Sequence, residues 1–276
     1  MGHWTLDDIP WDQFDASKID PDHLKLAKAA AMVEYNSADY VAYLENVFAD
    51  DPEFLEAARE WGVEERQHGA ALGKWAQMAD PDFDFETRFA LFREGFRPDV
   101  EVSQSVRGSR AGELVARCMV EVGTSSYYGA LGDAAREPAL EAICRKIAAD
   151  EHRHYKLFYD HLKRYVDKDN LSKLGRMRVA LGRIVETEDD ELSYAFYAAN
   201  ADLDQEPYDR KAANTAYMRR AYRYYGDSHV DRAIAMIFKA IGLTAQSGLF
   251  RFASAVAKWQ LQRRQKQINR LGTQAA

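Results

Sequence analysis

Ala58-Arg59-Glu60-Trp61-Gly62-Val63-Glu64-Glu65-Arg66-Gln67-His68-Gly69 ends in a Glu-x-x-His pair, and a near copy, Ile147-Ala148-Ala149-Asp150-Glu151-His152-Arg153-His154, follows later in the chain. On a helix, residues i and i+3 share a face, so Glu65 with His68, and Glu151 with His154, each offer an oxygen and a nitrogen to one cation. One such pair is ordinary on a solvated helix. Its repetition in a matching context is not. Pro52 and Pro138 each stand thirteen residues before the Glu of their pair, and each suits the first turn of a helix, where the missing N–H is not needed.

A single Glu precedes each copy at a matching distance. Glu34 lies 31 residues before Glu65, and Glu121 lies 30 before Glu151. The breaks at Asp50-Asp51-Pro52 and Arg136-Glu137-Pro138 fall about halfway. From Glu34 to the first break is roughly 24 Å of helix, and the return to Glu65 is roughly 20 Å, at about 1.5 Å per residue. Two antiparallel hairpins therefore bring Glu34 level with Glu65 and His68, and Glu121 level with Glu151 and His154. Packed together they gather four carboxylates and two imidazoles in a bundle core. That arrangement resembles the ferritin-like di-iron and di-manganese carboxylate proteins. Four buried carboxylates do not stay ionised without cations between them. Mixed carboxylate and imidazole donors suit iron or manganese better than zinc.

With 276 residues, 47% of them hydrophobic, the chain is long enough to bury a large core. A net charge of −7 and a pI near 5.6 argue against a nucleic-acid partner. The N-terminal Met1-Gly2-His3-Trp4-Thr5-Leu6-Asp7-Asp8 has neither a basic nor an apolar leader segment, so no secretory signal is read and a cytoplasmic protein is expected. Cys118 and Cys144 fall mid-helix in the second hairpin, either facing one another or as two buried thiols.

The expected fold is all-α: a ferritin-like four-helix bundle with a long crossover and additional C-terminal helices. Residues 1–20 read as an arm, 21–168 as the bundle and 169–276 as further helices packing on it. Helix 1 is expected from Pro21 to Phe48, with Ala27, Ala30, Ala31 and Ala38 near the face of Glu34. Helix 2 runs from Pro52 to about Met78, residues 79–108 form the crossover, helix 3 covers Ser109 to Ala134, and helix 4 covers Pro138 to about Val166. Helix 4 carries an inward stripe of Cys144, Ile147, Glu151, His154, Phe158 and His161; His152 is turned away from it. Beyond Asp169, helices are expected near 171–187, 189–200, 207–225, 227–243 and 246–270. The basic, aromatic stretch Arg210 to Tyr225 reads as a solvated or dimer-contacting helix. Ala233 to Trp259 is apolar but interrupted by Lys239 and Arg251. It reads as an amphipathic helix, covering the bundle or lying on a membrane surface, and not as a transmembrane span.

Beyond the superfamily pattern, the sequence resembles the soluble acyl-carrier-protein desaturases. Trp61 to Gly69 is similar to that family's tryptophan-containing helix ending Glu-Glu-Asn-Arg-His-Gly, and Ile147 to His154 is similar to its Ile-Ala-Ala-Asp-Glu-Lys-Arg-His. The resemblance covers about Ala27 to Tyr165. It implies that Glu34, Glu65, His68, Glu121, Glu151 and His154 ligate two metal ions, Fe/Fe or Mn/Fe. It also implies that Thr124 stands beside the metals in oxygen activation, and that Asp150 hydrogen-bonds His68, with an N-terminal tryptophan, Trp4 or Trp11, completing the relay. Three positions depart from the family. Ala70 replaces an aspartate, which makes the relay one-sided; Tyr155 replaces a glutamate; and the C-terminal region differs.

The function implied is oxidation of an unactivated C–H bond with O₂, most specifically desaturation of an acyl chain or similar apolar substrate, free or on an acyl carrier. Nothing in the chain resembles a flavin or nicotinamide site, so electrons are expected from a separate donor such as a ferredoxin, and a homodimer is expected. Three alternatives stand beside it. A rubrerythrin-like peroxidase usually carries a Cys-x-x-Cys module, which is absent here. A ferritin subunit is much shorter. A radical-generating subunit like that of ribonucleotide reductase would use Tyr128 or Tyr155, but usually has an aspartate where Glu34 stands.

Overall fold

Prolines and acidic caps set where the long helices begin. In the computed structural model, which describes residues 4–186, 190–203 and 207–274, the Asp20 carboxylate accepts the Asp22 N–H ahead of Pro21, Asp51 accepts from Phe54 ahead of Pro52, and Glu137 accepts from Leu140 ahead of Pro138. Each such cap satisfies an orphan helix donor and contributes about 1 kcal/mol. The helices are α1 (Pro21–Tyr35), α2 (Ser37–Val47), α3 (Pro52–Ala79), α4 (Phe85–Gly95), α5 (Arg110–Ala134), α6 (Pro138–Val166), α7 (Lys173–Val185), α8 (Asp190–Asn200), α9 (Arg210–Ala221), α10 (Asp227–Ile241) and α11 (Gly248–Gln274). Three short 3-10 turns precede them, and no strand occurs among the described residues. Met1 to His3 of the expected arm, and 187–189, 204–206 and 275–276 of the expected C-terminal region, lie outside the described residues.

One expectation about the elements is corrected. The first helix does not run through to Phe48 but ends at Tyr35, and α2 restarts after Asn36. The cause is the approach of α3: a Cβ at Gly69 would sit 2.4 Å from the Tyr35 nitrogen, and the Ser37 hydroxyl donates to the Gly62 carbonyl at 2.7 Å. Within the crossover Asp84 caps a further helix, α4, which the sequence did not announce and whose Phe85, Phe89 and Phe92 give it an apolar face. The helices expected near 227–243 and 246–270 are present as α10 and α11, so the apolar stretch Ala233 to Trp259 spans both, divided where Gly242 takes a left-handed conformation (φ 80°) that closes α10.

α1 with α2 packs along α3, and α5 along α6, and the two hairpins meet through α3 and α6. α8 covers α1 with α9 beside it, α7 and α10 cover α5, and α11 lies on α10. Tyr217 and Ala221 of α9 are buried, so that helix is packed rather than solvated, with Arg210, Lys211 and Arg219 exposed along its outer side.

The core has two apolar halves. One holds Leu26, Met32, Leu72, Trp75, Leu131, Leu140 and Ile147; the other holds Leu44, Phe48, Phe54, Trp61, Leu114, Met119, Phe158 and Leu162. Each fully buried side chain of this size contributes about 1.5–3 kcal/mol. Along α3, α5 and α6, and across the α1–α2 junction, the change from one half to the other falls at the same level. Cys118 and Cys144 lie in different halves, both buried and both free, so they do not face one another.

Candidate metal centre

The level at which the halves meet is polar. Glu34 on α1, Glu65 and His68 on α3, Glu121 on α5, and Glu151 and His154 on α6 turn inward there, none more than 7% exposed. The i, i+3 spacing on α3 and α6 does what helical geometry requires, presenting each Glu and its His on one face. Two groups of donor atoms result, Glu34, Glu65, His68 and Glu151 in one and Glu65, Glu121, Glu151 and His154 in the other, with the atoms of each within 4.8 Å of one another. Glu65 and Glu151 belong to both. His68 Nδ1 lies 3.7 Å from Glu34 Oε2, 3.9 Å from Glu65 Oε2 and 3.4 Å from Glu151 Oε1. His154 Nδ1 lies 3.0 Å from Glu65 Oε1, 3.7 Å from Glu121 Oε2 and 3.8 Å from Glu151 Oε2. Each shared carboxylate thus turns one oxygen toward each imidazole.

Both imidazoles are held from behind. His68 Nε2 lies 3.0 Å from Asp150 Oδ2, which also accepts the Trp4 indole N–H at 2.6 Å. His154 Nε2 lies 2.8 Å from Glu64 Oε2. The relay is therefore two-sided, against the expectation drawn from Ala70: the second carboxylate comes from the residue before Glu65. Sequence reasoning missed Glu64, although the repeat carried a signal for it. An acid precedes the Glu of each Glu-x-x-His, and each of these acids, Asp150 and Glu64, serves the histidine of the other hairpin. The Arg153 guanidinium joins them, 2.5 Å from Asp150 Oδ1 and 3.0 Å from Glu64 Oε2. Of the two N-terminal tryptophans, Trp4 reaches Asp150, while Trp11 donates to the Leu6 carbonyl.

Thr124, one turn after Glu121, has its hydroxyl 2.6 Å from Glu151 Oε2 and 3.2 Å from the Val120 carbonyl. The single proton goes to the shorter, charged acceptor. The Tyr128 hydroxyl, fully buried, donates to Glu34 Oε1 at 2.5 Å, a role the sequence did not announce. His152 is exposed, and Tyr155 donates to the Met236 carbonyl.

Burial, and then the neighbouring carboxylates Glu151 and Glu34 for Glu65, Glu151 for Glu121, push both of these acids well above the usual range. Burial alone would lower the imidazoles, but the acids around them hold His68 and His154 well above the usual histidine value. Asp150 would also be raised by burial, yet hydrogen bonds from His68, Arg153 and Trp4 hold it at about 2. Such a concentration of buried acids calls for positive charge at its centre. The orphaned atoms say where. His68 Nδ1, His154 Nδ1, Glu121 Oε2 and Glu151 Oε1 are buried side-chain atoms without a hydrogen-bond partner, one nitrogen and one oxygen in each group. With Nε2 of each ring committed to a carboxylate, Nδ1 is the ring atom left to face a cation that takes the place of its proton. The donor set fits two hard or borderline divalent cations.

A family model described as fatty acid desaturase matches residues 29–185, more than half of the chain, a range that contains all six inward-turned Glu and His residues. A comparison with curated proteins finds no match.

Proposed function

Since the chain belongs to the fatty acid desaturase family, we propose that it is a di-iron, O₂-dependent oxidoreductase that removes hydrogen from an unactivated C–H bond of a fatty-acyl or similar apolar substrate. The observation that carries the reading is the pair of four-donor groups sharing Glu65 and Glu151, with unpartnered donor atoms in each. In this reading the bundle over 21–168 is ferritin-like and 169–276 is packed around it. Glu34 and His68 hold one metal, Glu121 and His154 the other, and Glu65 and Glu151 both. The metals, Fe/Fe or Mn/Fe, supply redox chemistry that no side chain offers.

The rest is done by the chain. Asp150 and Glu64 hold the imidazoles in the ligating tautomer. Thr124 holds a proton 2.6 Å from Glu151, placed to deliver it beside the metals. In a desaturation, O₂, two substrate hydrogens, two electrons and two protons leave as two waters. The electrons come from an external donor such as a ferredoxin, with Trp4, Asp150 and His68 as the hydrogen-bonded path from the surface segment to the centre. The reading includes a cytoplasmic homodimer and a substrate presented free or on an acyl carrier. No helix among the described residues is long and apolar enough to cross a membrane.

The test is anaerobic reconstitution with Fe(II), metal analysis, and single-turnover assay with reduced ferredoxin, O₂ and saturated acyl-carrier protein, read by mass spectrometry of the acyl chain. The expected result is two metals per chain and a product lighter by two hydrogens. One metal or none, or loading unchanged by Glu151→Ala, refutes the metal assignment; full loading with an oxygenated product instead refutes desaturation alone.

A further inference from the structure

α11 has two apolar faces and uses only one of them within the molecule. Phe250 meets Phe238 edge-on with ring centroids 5.6 Å apart, Leu261 is buried, and Ser254 and Lys258 both hold Asp231 of α10. On the opposite side Leu249, Phe252, Val256 and Trp259 are 54, 68, 36 and 58% exposed. At about 100° per residue they fall in one stripe roughly 80° wide. Arg263 continues the stripe, its guanidinium 5.5 Å from the Trp259 ring centroid. Arg251, Arg264 and Lys266, all exposed, run along its borders.

Charge decides among the partners that such a face can take. From Gly248 to Gln274 the helix carries six basic residues and no acidic one, in a chain whose net charge is −7. In a two-fold contact between copies, the same patch meets itself, and helices bearing only positive charge repel. An anionic lipid surface matches both features at once: the apolar stripe enters the boundary between headgroups and acyl chains, and the basic borders meet phosphates. Trp at such a boundary is favoured because one end of the ring is apolar and the other polar. The helix is about 40 Å long at about 1.5 Å per residue, so it spreads along a surface. We propose that the outer face of α11 docks the protein on a membrane surface rich in anionic lipid. This inference does not depend on the metal centre.

The test uses the full chain and sedimentation with vesicles of phosphatidylcholine containing phosphatidylglycerol, against vesicles of phosphatidylcholine alone. Several basic side chains, each worth about a fivefold step near an anionic surface, make binding to the anionic vesicles about a hundredfold tighter. Binding falls as salt rises from about 0.1 to 1 M, where the screening length shrinks from about 10 to 3 Å. Phe252→Ser with Trp259→Ser, both at exposed positions, weakens binding about tenfold or more while leaving the thermal melt unchanged. Trp259 emission shifts to the blue on anionic vesicles, and the shift disappears in Trp259→Phe. No sedimentation with anionic vesicles, equal sedimentation with both, or unchanged binding by the double variant overturns the proposal. So does a dimer, seen by light scattering, that the double variant dissociates, because the face would then be a protein interface.

Discussion

Glu64→Gln isolates the role of the carboxylate behind His154. The substitution keeps the side chain's size and one carbonyl oxygen, but removes the charge that both His154 Nε2, at 2.8 Å, and Arg153, at 3.0 Å, approach. His154 is 2% exposed, so no water readily replaces the lost acceptor. A carboxylate behind a metal-bound imidazole is worth about 10–100-fold in metal affinity, or about 1.4–2.7 kcal/mol. The loss should be confined to the metal proposed for Glu121 and His154, because Asp150 keeps Trp4, His68 and Arg153. Asp150→Asn should weaken the other metal by a similar factor. Since Arg153 touches both acids, the double variant should depart from additivity by about 0.5 kcal/mol or more. The assay is anaerobic titration of metal-free protein with Fe(II) or Co(II), followed by calorimetry. Wild-type protein and Glu64→Gln should share one binding step and differ in the second. Superimposable titrations, or equal weakening of both steps, would refute the pairing of each acid with one metal.

Thr124→Val keeps the side chain's shape and removes the hydroxyl; both metals should still bind, while O₂ uptake uncouples from substrate oxidation and appears as released peroxide. An oxygen electrode with a peroxide assay decides it, and unchanged coupling counts against the proton role. Gly69→Ala places a methyl group against the Tyr35 backbone, a clash that no rotamer change relieves. It should cost about 1–3 kcal/mol in denaturant melts and weaken most the binding of the metal proposed for Glu34. Asp51→Ala removes a helix cap that Tyr165 and Arg164 also engage, at 2.7 and 3.0 Å, and should destabilise by about 1–3 kcal/mol at neutral pH. Burial would raise the Asp51 carboxyl, but hydrogen bonds from Tyr165, the Phe54 N–H and Arg164 outweigh it and lower it. Its stabilisation is therefore complete above the unfolded value of about 4 and lost as pH falls through the lower folded value. The gap between variant and wild type should close in acid melts; a gap constant down to the acid limb would contradict the assignment.

Much of the centre was legible because it rests on local rules. Pro52 and Pro138 mark helix starts from their own chemistry, and i, i+3 spacing needs only a helix. The break after Tyr35 was not legible, since it arises from a glycine 34 positions away on another helix. Asn36 and Ser37 offered a faint local signal there, as residues that compete with helix by hydrogen-bonding nearby backbone. α4 was not legible because Asp80-Pro81-Asp82-Phe83-Asp84-Phe85 reads as a breaker and the capping Asp84 lies within it. Glu64 is not marked by the family resemblance, which points to position 70, where alanine stands; the repeat within the chain marks it instead, with an acid before the glutamate of each Glu-x-x-His. Where α8 and α10 sit could not be read at all, because apolar periodicity says which face is buried and not against what.

The polar level between the two apolar halves also acts on assembly. A hydrophobic core tolerates sliding, since one leucine layer resembles the next one turn along. Sliding α6 by one turn against α3 would carry Glu151 and His154 toward Trp61 in one direction or Leu72 in the other, and would strand Asp150 from His68. An unpaired buried charge costs several kcal/mol, so each misregistered packing is penalised where the correct one is not. The six residues thus serve as an index mark that tells four long, otherwise slippery helices how to line up.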